Sequence, residues 1–154
     1  MMIHTKNRLR VCIALLITNL AFIWGNSLLP GEISGAFSDW VKSLVAPLFG
    51  WGQEGSGGGG LLRKIAHFTE FACLGVCLRW FWGMLTAKRR NAFGYALGCA
   101  IAVACIDETI QIFVPLRGPG IKDVCIDTAG ALTGILILTL VHWLRTKTLE
   151  DNKL

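Results

Sequence analysis

Charged residues are scarce in this chain. They make up 16% of its 154 residues, whereas apolar residues make up 53%, and a typical soluble domain is about a quarter charged. The apolar residues fall into four blocks, each near the ~20 residues needed to cross a bilayer. A chain of this length has no room for a separate soluble domain beside them. We therefore predict an all-α, polytopic membrane protein, a single domain (1–154) built as a bundle of four transmembrane helices.

The sequence also lacks the local motifs of several common sites. It has no CxxC pair, no HExxH segment and no GxSxG segment, which are typical of thiol or zinc sites and of serine nucleophiles. We therefore expect no metal and no cofactor. The six cysteines lie in or at the edges of the apolar blocks, where free thiols pack as small apolar groups. A disulfide between neighbouring helices is the alternative.

Prolines and glycines divide the apolar blocks. The predicted transmembrane helices cover about residues 11–29, 62–85, 91–114 and 122–144, with Pro30 and Pro115 ending the first and the third. The loop at 30–61 contains a further predicted helix, because apolar residues recur there at helical spacing on one face: Phe37, Trp40, Val41, Leu44, Val45 and Leu48. Such a helix lies flat on the membrane surface or packs on the bundle. The glycine-rich run at 55–60 predicts a flexible tether.

Basic residues indicate the orientation in the membrane. Nine lysines and arginines lie in the two terminal segments and the turn at 88–90, against five near the opposite helix ends. Because cytoplasmic segments carry the excess of basic residues, both termini are predicted in the cytoplasm and the 30–61 loop outside. Arg79 is expected to extend toward the cytoplasmic interface. A net charge of +5 could also indicate a protein that binds nucleic acid. Because the orientation in the membrane already accounts for the basic residues, we exclude nucleic acid as a partner.

Polar residues within the predicted helices gather near the outer ends. They come from the start of the second helix, the end of the third and the start of the fourth: Arg63, Lys64, His67, Glu70, Asp107, Glu108, Gln111, Asp123 and Asp127. A charge deep in the bilayer costs about 2.5–3.5 kcal/mol on insertion scales. We therefore predict that the carboxylates turn inward and form one shared cluster with the nearby basic residues, which are Arg63, Lys64, His67, Arg117 and Lys122.

Several roles are open for individual residues. Arg117 lies in a turn rich in glycine and proline, and it either forms an internal salt bridge or grips an anionic ligand. His67 either exchanges protons near neutral pH or only hydrogen-bonds a neighbouring carboxylate. Gly130 and Gly134 form a small-xxx-small pattern, which predicts close contact with another helix.

Three ordered segments match patterns of a known family. Residues 63–75 (RKIAHFTEFACLG) resemble RKxAHFxEYxxLG, residues 107–117 (DETIQIFVPLR) resemble DExxQxFxPxR, and residues 123–130 (DVCIDTAG) with Gly134 resemble DxxxD/NxxG. Together with Asn26 and Ser27, these segments resemble the VanZ-like family. Two positions depart from its pattern, because Ile110 stands where many members carry histidine and Leu116 replaces a frequent glycine.

The resemblance implies a protein of the bacterial cytoplasmic membrane that is linked to glycopeptide resistance of the teicoplanin type. The first hypothesis is recognition of an anionic membrane lipid, lipid-linked wall precursor or lipoglycopeptide at the outer face. Its ligand-binding residues would be Arg63, Lys64, Glu70, Asp107, Gln111, Arg117, Asp123 and Asp127. The second hypothesis is an enzyme on a phosphate-bearing lipid, with His67 and Glu108 as its acid–base pair. The third is a structural protein whose polar cluster is only a salt-bridge network and whose function depends on a partner.

Overall fold

The computed structural model describes residues 2–49, 58–118 and 120–151. Within these ranges every regular element is a helix, in the order α1 (Met2–Ser27), α2 (Gly31–Phe49), α3 (Gly58–Leu85), α4 (Arg89–Ile112) and α5 (Ile121–Asp151). The all-α prediction is therefore confirmed. Three helical stretches, Lys6–Ser27, Arg89–Ile112 and Ile121–Leu149, are long and apolar enough to cross a membrane. The 28-residue α3 is not among the three, so the count of four spans stays a prediction.

The helix boundaries differ from the predicted ones chiefly by extension. α1 begins at Met2, before the first apolar block, and α5 continues to Asp151, because helical hydrogen bonding does not stop where the apolar residues do. α3 begins at Gly58, so residues 58–60 of the predicted tether are helical. The remaining tether residues, 55–57, lie outside the described residues.

The α3 helix lies at the centre of the molecule and packs against all four other helices. Its Phe71, Leu74 and Leu78 are buried together with Ile23 of α1 and Ile135 of α5. The α4 helix contributes a line of buried alanines at every fourth position: Ala92, Ala96, Ala100 and Ala104. Residues four apart lie on one face of a helix, so this face of α4 is smooth and its backbone comes close to its neighbours.

Glycines bring α3 and α5 into backbone contact. A Cβ atom added at Gly134 would lie 2.9 Å from the carbonyl carbon of Ala72 and 3.0 Å from the backbone nitrogen of Val76. A Cβ atom added at Gly130 would lie 3.0 Å from the carbonyl carbon of Phe68. This is the close helix contact that the small-xxx-small pattern predicts, since only glycine leaves room for the facing backbone.

The α2 helix starts directly after Pro30, and a hydrogen bond connects its first residue to the turn that follows α4. The backbone N–H of Gly31 donates a hydrogen bond of 3.1 Å to the carbonyl of Pro115, and α2 packs against α3. Trp40 and Leu44 are more than half exposed. The side chains of Phe37, Val45 and Leu48, also part of the predicted apolar face, are not among those described. That α2 rests on the membrane surface stays a prediction.

Candidate functional site

Four helix ends meet at one end of the bundle, which we call the polar end. They are the C-terminal end of α1, the first turns of α3, the last turns of α4 and the first turns of α5. The short connection between α4 and α5 accounts for two of these ends, and the contacts of α3 with α1, α4 and α5 bring the others beside them. The polar side chains of four separate segments are therefore brought to one place.

Three of these side chains form the centre of the site. The Nδ1 atom of His67 lies 3.5 Å from Oδ1 of Asp127 and 3.9 Å from Oδ2 of Asp107. His67 is 7% exposed, and both aspartates are fully buried. Each residue comes from a different helix, α3, α4 or α5. We call these three residues the His–Asp–Asp cluster.

Gln111 and Ser27 hold one side of the His–Asp–Asp cluster. The side-chain amide of Gln111 donates to Oδ2 of Asp107 at 2.9 Å, and it lies 3.3 Å from the hydroxyl of Ser27. Both side chains are buried. Gln111 and Asp107 are four residues apart and so share one face of α4. Gln111 therefore fixes the orientation of the Asp107 carboxylate.

Glu108 ties α4 to the start of α5. Its Oε2 atom accepts a hydrogen bond of 2.8 Å from the backbone N–H of Gly120, the residue before α5 begins. A carboxylate at this position satisfies a free backbone N–H and interacts favourably with the helix dipole. The other oxygen, Oε1, is buried and has no hydrogen-bond partner. One oxygen is thus structural and the other is free for chemistry.

Glu70 lies next to α1 rather than inside the cluster. Its Oε1 atom accepts a hydrogen bond of 3.1 Å from the side-chain amide of Asn26, and its Oε2 atom is buried without a partner. Asn26 was noted only as part of the family resemblance, and Ser27 likewise. Their contacts show that the end of α1 is a fourth contributor to the site.

Arg117 bonds to backbone carbonyls and to no carboxylate. Its guanidinium donates to the carbonyl oxygens of Asn26 and, at 3.0 Å, Leu29. The last carbonyls of a helix lack partners within the helix, although that of Asn26 also accepts a hydrogen bond from the backbone N–H of Leu29. Of the two roles left open for Arg117, the internal salt bridge is not found, since no described carboxylate forms an ion pair with this side chain. Burial lowers the pKa of Arg117 from its ordinary value, and the positive charge of Arg63 lowers it further. Arg117 still carries its charge at neutral pH.

The expected pairing of the carboxylates with lysine and arginine is also wrong. Among the basic side chains that the structure describes, only that of His67 has a nitrogen within 4.0 Å of a carboxylate. Lys64 is exposed and Arg63 is half-buried. Lys64 and His67 are three residues apart and so lie on the same face of α3. Lys64 is one turn nearer the start of the helix, where the other helices no longer cover α3.

A small polar cavity lies between the cluster and these basic residues. Its volume is about 10 Å³, and it is lined by Arg63, Lys64, His67, Glu108, Gln111, Asp123, Ile126 and Asp127. A volume of this size holds about one water molecule or one small ion. The cavity thus brings together seven of the ten predicted site residues. Glu70, Asp107 and Arg117 do not line it.

A much larger groove opens beside the polar cavity. It has a volume of about 510 Å³ and runs between α1, the start of α2 and α3, and its lining is mostly apolar: Ala21, Phe22, Gly25, Asn26, Leu29, Ser34, Arg63, Ala66 and Glu70. Ligand pockets in proteins have volumes of about 300–1,000 Å³. Arg63 lines both the groove and the polar cavity, so one cationic side chain connects the two.

Arg79, at the opposite end of α3, is buried. It is 2% exposed, and its Nε atom donates to the hydroxyl of Thr139 at 3.0 Å. Its guanidinium reaches Gly83 and lines a cavity with Arg89 and Arg145 at that end of the bundle. The side chain therefore points toward the predicted cytoplasmic side, and its extension to the interface stays a prediction. The contact with Thr139 depends on the close approach of α3 and α5, which the apolar pattern around Arg79 does not reveal.

The fold and the site define a class of protein. An all-helical chain with three stretches fit to cross a membrane, and with ionisable side chains buried between its helices, is a polytopic membrane protein. Its sequence matches the model of the family described as VanZ/LLP1 over residues 9–142. The chain therefore belongs to this family, as the three motifs predict, and it is a VanZ-like membrane protein of a kind linked to resistance in general. No curated protein and no solved structure matches the chain.

Proposed function

We propose that this protein recognises a lipid-linked anionic group at the outer face of the bacterial cytoplasmic membrane, and that this recognition underlies glycopeptide resistance of the teicoplanin type. Anionic envelope lipids, lipid-linked wall precursors and lipoglycopeptides share two features, a negatively charged group and a hydrocarbon chain. The polar end of the bundle offers a complementary place for each. The hydrocarbon chain occupies the groove beside α1, and the anion binds at Arg63 and Lys64.

The observation that supports this proposal most directly is the position of Arg63. This half-buried residue lines both the mostly apolar groove and the polar cavity. A cavity of about 10 Å³ is too small for a lipid headgroup, so the headgroup lies at the cavity mouth, near the exposed Lys64. Arginine suits phosphate and carboxylate groups because its planar donors form two parallel hydrogen bonds.

The distribution of basic residues supports the outer location. Arg89 and Arg145 line a cavity at the end of the bundle opposite to the site. Most of the other basic residues lie in the two terminal segments and the turn at 88–90, which belong to the same end. Because this excess is typical of the cytoplasmic side, we assign both termini to the cytoplasm and the polar end to the outer leaflet.

Filling the groove tests the proposal without touching the polar cluster. Gly25 lines the groove and has no atom within 4 Å of its added Cβ, so Gly25→Leu fits the fold but occupies the space for the chain. Gly98 of α4 also has open space around its added Cβ and does not line the groove, which makes Gly98→Leu the matched control. We expect the Gly25→Leu variant, expressed in a sensitive host, to confer no resistance to teicoplanin, whereas the Gly98→Leu variant confers as much as the wild type.

The readouts are inhibitory concentrations for a lipidated and a non-lipidated glycopeptide, together with the amount of protein in the membrane. Arg63→Gln should abolish resistance at normal abundance, because the anion loses its principal partner. Full resistance in Gly25→Leu and Arg63→Gln at normal abundance would rule out recognition at this groove. If the wild-type protein does not change the sensitivity of the host to teicoplanin, the link to teicoplanin resistance is ruled out.

An enzyme is the alternative that a specific observation favours. Oε1 of Glu108 and Nδ1 of His67 are buried at the polar cavity without hydrogen-bond partners, and general acid–base catalysis needs such free groups. The neutral exchanges Glu108→Gln and His67→Gln separate the two functions. Loss of product formed from a phosphate-bearing lipid, with lipid binding retained, indicates catalysis; loss of binding alone indicates recognition. The purely structural hypothesis has less support, because the described carboxylates lack lysine and arginine partners.

A further inference from the structure

The geometry of the His–Asp–Asp cluster is that of a set of metal ligands. His67, Asp107 and Asp127 each offer one ligand atom, and these atoms all lie within 4.8 Å of one another. Nδ1 of His67 is 3.5 Å and 3.9 Å from the nearest aspartate oxygens. Two ligand atoms that are each about 2.1 Å from one ion, at the tetrahedral angle, lie ~3.4 Å apart. The distance of 3.5 Å to Asp127 is close to this value, and the distance of 3.9 Å to Asp107 is about half an ångström longer.

The unsatisfied atoms of the cluster point to a missing positive charge. Asp107 and Asp127 are fully buried, and among the described side chains the only basic nitrogen within ion-pair distance of them is that of His67. Oδ1 of Asp107, both carboxylate oxygens of Asp127 and Nδ1 of His67 have no hydrogen-bond partner. Buried carboxylates are normally paired, hydrogen-bonded or bound to a metal ion. One imidazolium cannot balance two carboxylates, whereas a divalent cation can.

Residues around the cluster supply the support that metal ligands usually have. Gln111 donates to Asp107 at 2.9 Å and thereby orients the carboxylate, as second-layer hydrogen bonds do in metal sites. The polar cavity of about 10 Å³ is lined by His67 and Asp127, so a water molecule or a ligand oxygen has access to the ion. Three protein ligands and an accessible further position are the usual arrangement of a metal site that acts on a ligand.

We propose that His67, Asp107 and Asp127 bind one divalent transition-metal ion of the Mn²⁺ or Zn²⁺ type beside the polar cavity. One imidazole and two carboxylates, without a thiolate, form a donor set that suits these ions. The proposal departs from the expectation of no metal, which rested on ligand spacing within a single segment. Here the ligands come from three helices, 40 and 20 positions apart in sequence. It also stands independently of lipid recognition, because metal content is measured without a lipid.

Metal binding by the full-length protein in detergent tests the proposal. The protein carries a purification tag without histidine, is stripped with a chelator and is titrated with Mn²⁺, followed by electron paramagnetic resonance and by mass spectrometry of the bound metal. Mn²⁺ is preferred because the chain has free cysteines, and this ion favours oxygen and imidazole ligands over thiolates. We expect one Mn²⁺ per chain in the wild type.

Variants assign the ion to the cluster. Asp127→Asn and His67→Gln should lose stoichiometric binding, whereas His142→Gln, in the cavity at the opposite end, should retain it. Gln111→Leu should weaken binding roughly ten- to a hundredfold, as the loss of a second-layer partner does. If Asp127→Asn fails to fold, Mn²⁺ should still raise the melting temperature of the wild type and of His142→Gln. A wild type that binds no stoichiometric Mn²⁺ and is not stabilised by it, or a folded Asp127→Asn that binds as the wild type does, would overturn the proposal.

Discussion

The contact between α3 and α5 offers the sharpest test of the fold. In Gly134→Ala the new methyl group would lie 2.9 Å from the carbonyl carbon of Ala72 and 3.0 Å from the nitrogen of Val76, and ordinary contacts begin at 3.4 Å. The carbonyl oxygen of Ala72 is closer still, so the two helices would have to separate by more than 0.5 Å (3.4 Å minus 2.9 Å). The obstructing atoms belong to a helix backbone, so no side-chain rotation relieves the clash.

Overpacking of this kind costs typically about 1–3 kcal/mol. In a protein of about 150 residues each kcal/mol corresponds to roughly 2–4 °C of melting temperature, so we expect Gly134→Ala to lower Tm by roughly 2–12 °C. The assay is thermal unfolding of the detergent-solubilised protein. Gly98→Ala is the matched control, because open space surrounds its added methyl group and alanine is favoured over glycine within helices by about 1 kcal/mol. Equal melting temperatures for the two variants would refute the close packing of α3 on α5.

Three further predictions concern single contacts, each measured by thermal unfolding. Arg117→Ala should lose about 2–4 kcal/mol, because two carbonyls at the end of α1 lose their charged donor; a Tm equal to that of the wild type would contradict this role. Leu116 has a φ of 58°, a backbone conformation that costs residues other than glycine about 1–2 kcal/mol. Leu116→Gly should therefore be neutral or stabilising although it removes a side chain. Leu116→Ala, which keeps the strained φ, should melt at a lower temperature than Leu116→Gly. Thr139→Val should lose about 1–3 kcal/mol by leaving the buried Nε of Arg79 unpaired, whereas Thr139→Ser should keep that hydrogen bond and most of the stability.

Much of the fold could be predicted from the distribution of apolar residues. The blocks that became α1, α4 and α5 are apolar over the length of a membrane span, and Pro30 and Pro115 mark the places where the chain turns. The start of α3 could not be predicted in the same way, because the run at 58–60 consists of glycine, the least favourable helix residue after proline. Its helical state depends on tertiary context that no local pattern contains.

The candidate site could be located but its contacts could not. Antiparallel packing indicates which helix ends meet, and so His67, Asp107 and Asp127 could be assigned to one region. Which atoms touch depends on how each helix is rotated about its own axis. A rotation by the angle between two consecutive residues already brings a different side chain into the contact. Arg117 illustrates the limit: its charge suggested a carboxylate partner, but its guanidinium donates to the backbone carbonyls of Asn26 and Leu29 at the end of α1.

The enclosed position of α3 has a consequence for how this protein is made. α3 carries His67, Glu70 and Arg79 and is not among the helices apolar enough to enter a bilayer on composition alone. Yet it leaves the ribosome before α4 and α5, the two helices that bury His67 and pair with Arg79. Until their synthesis is complete, α3 is covered only on the sides that pack against α1 and α2. We therefore expect a nascent chain that ends after α4 to be held at the insertion machinery or degraded, because the last helix to be made completes the protection of an earlier one.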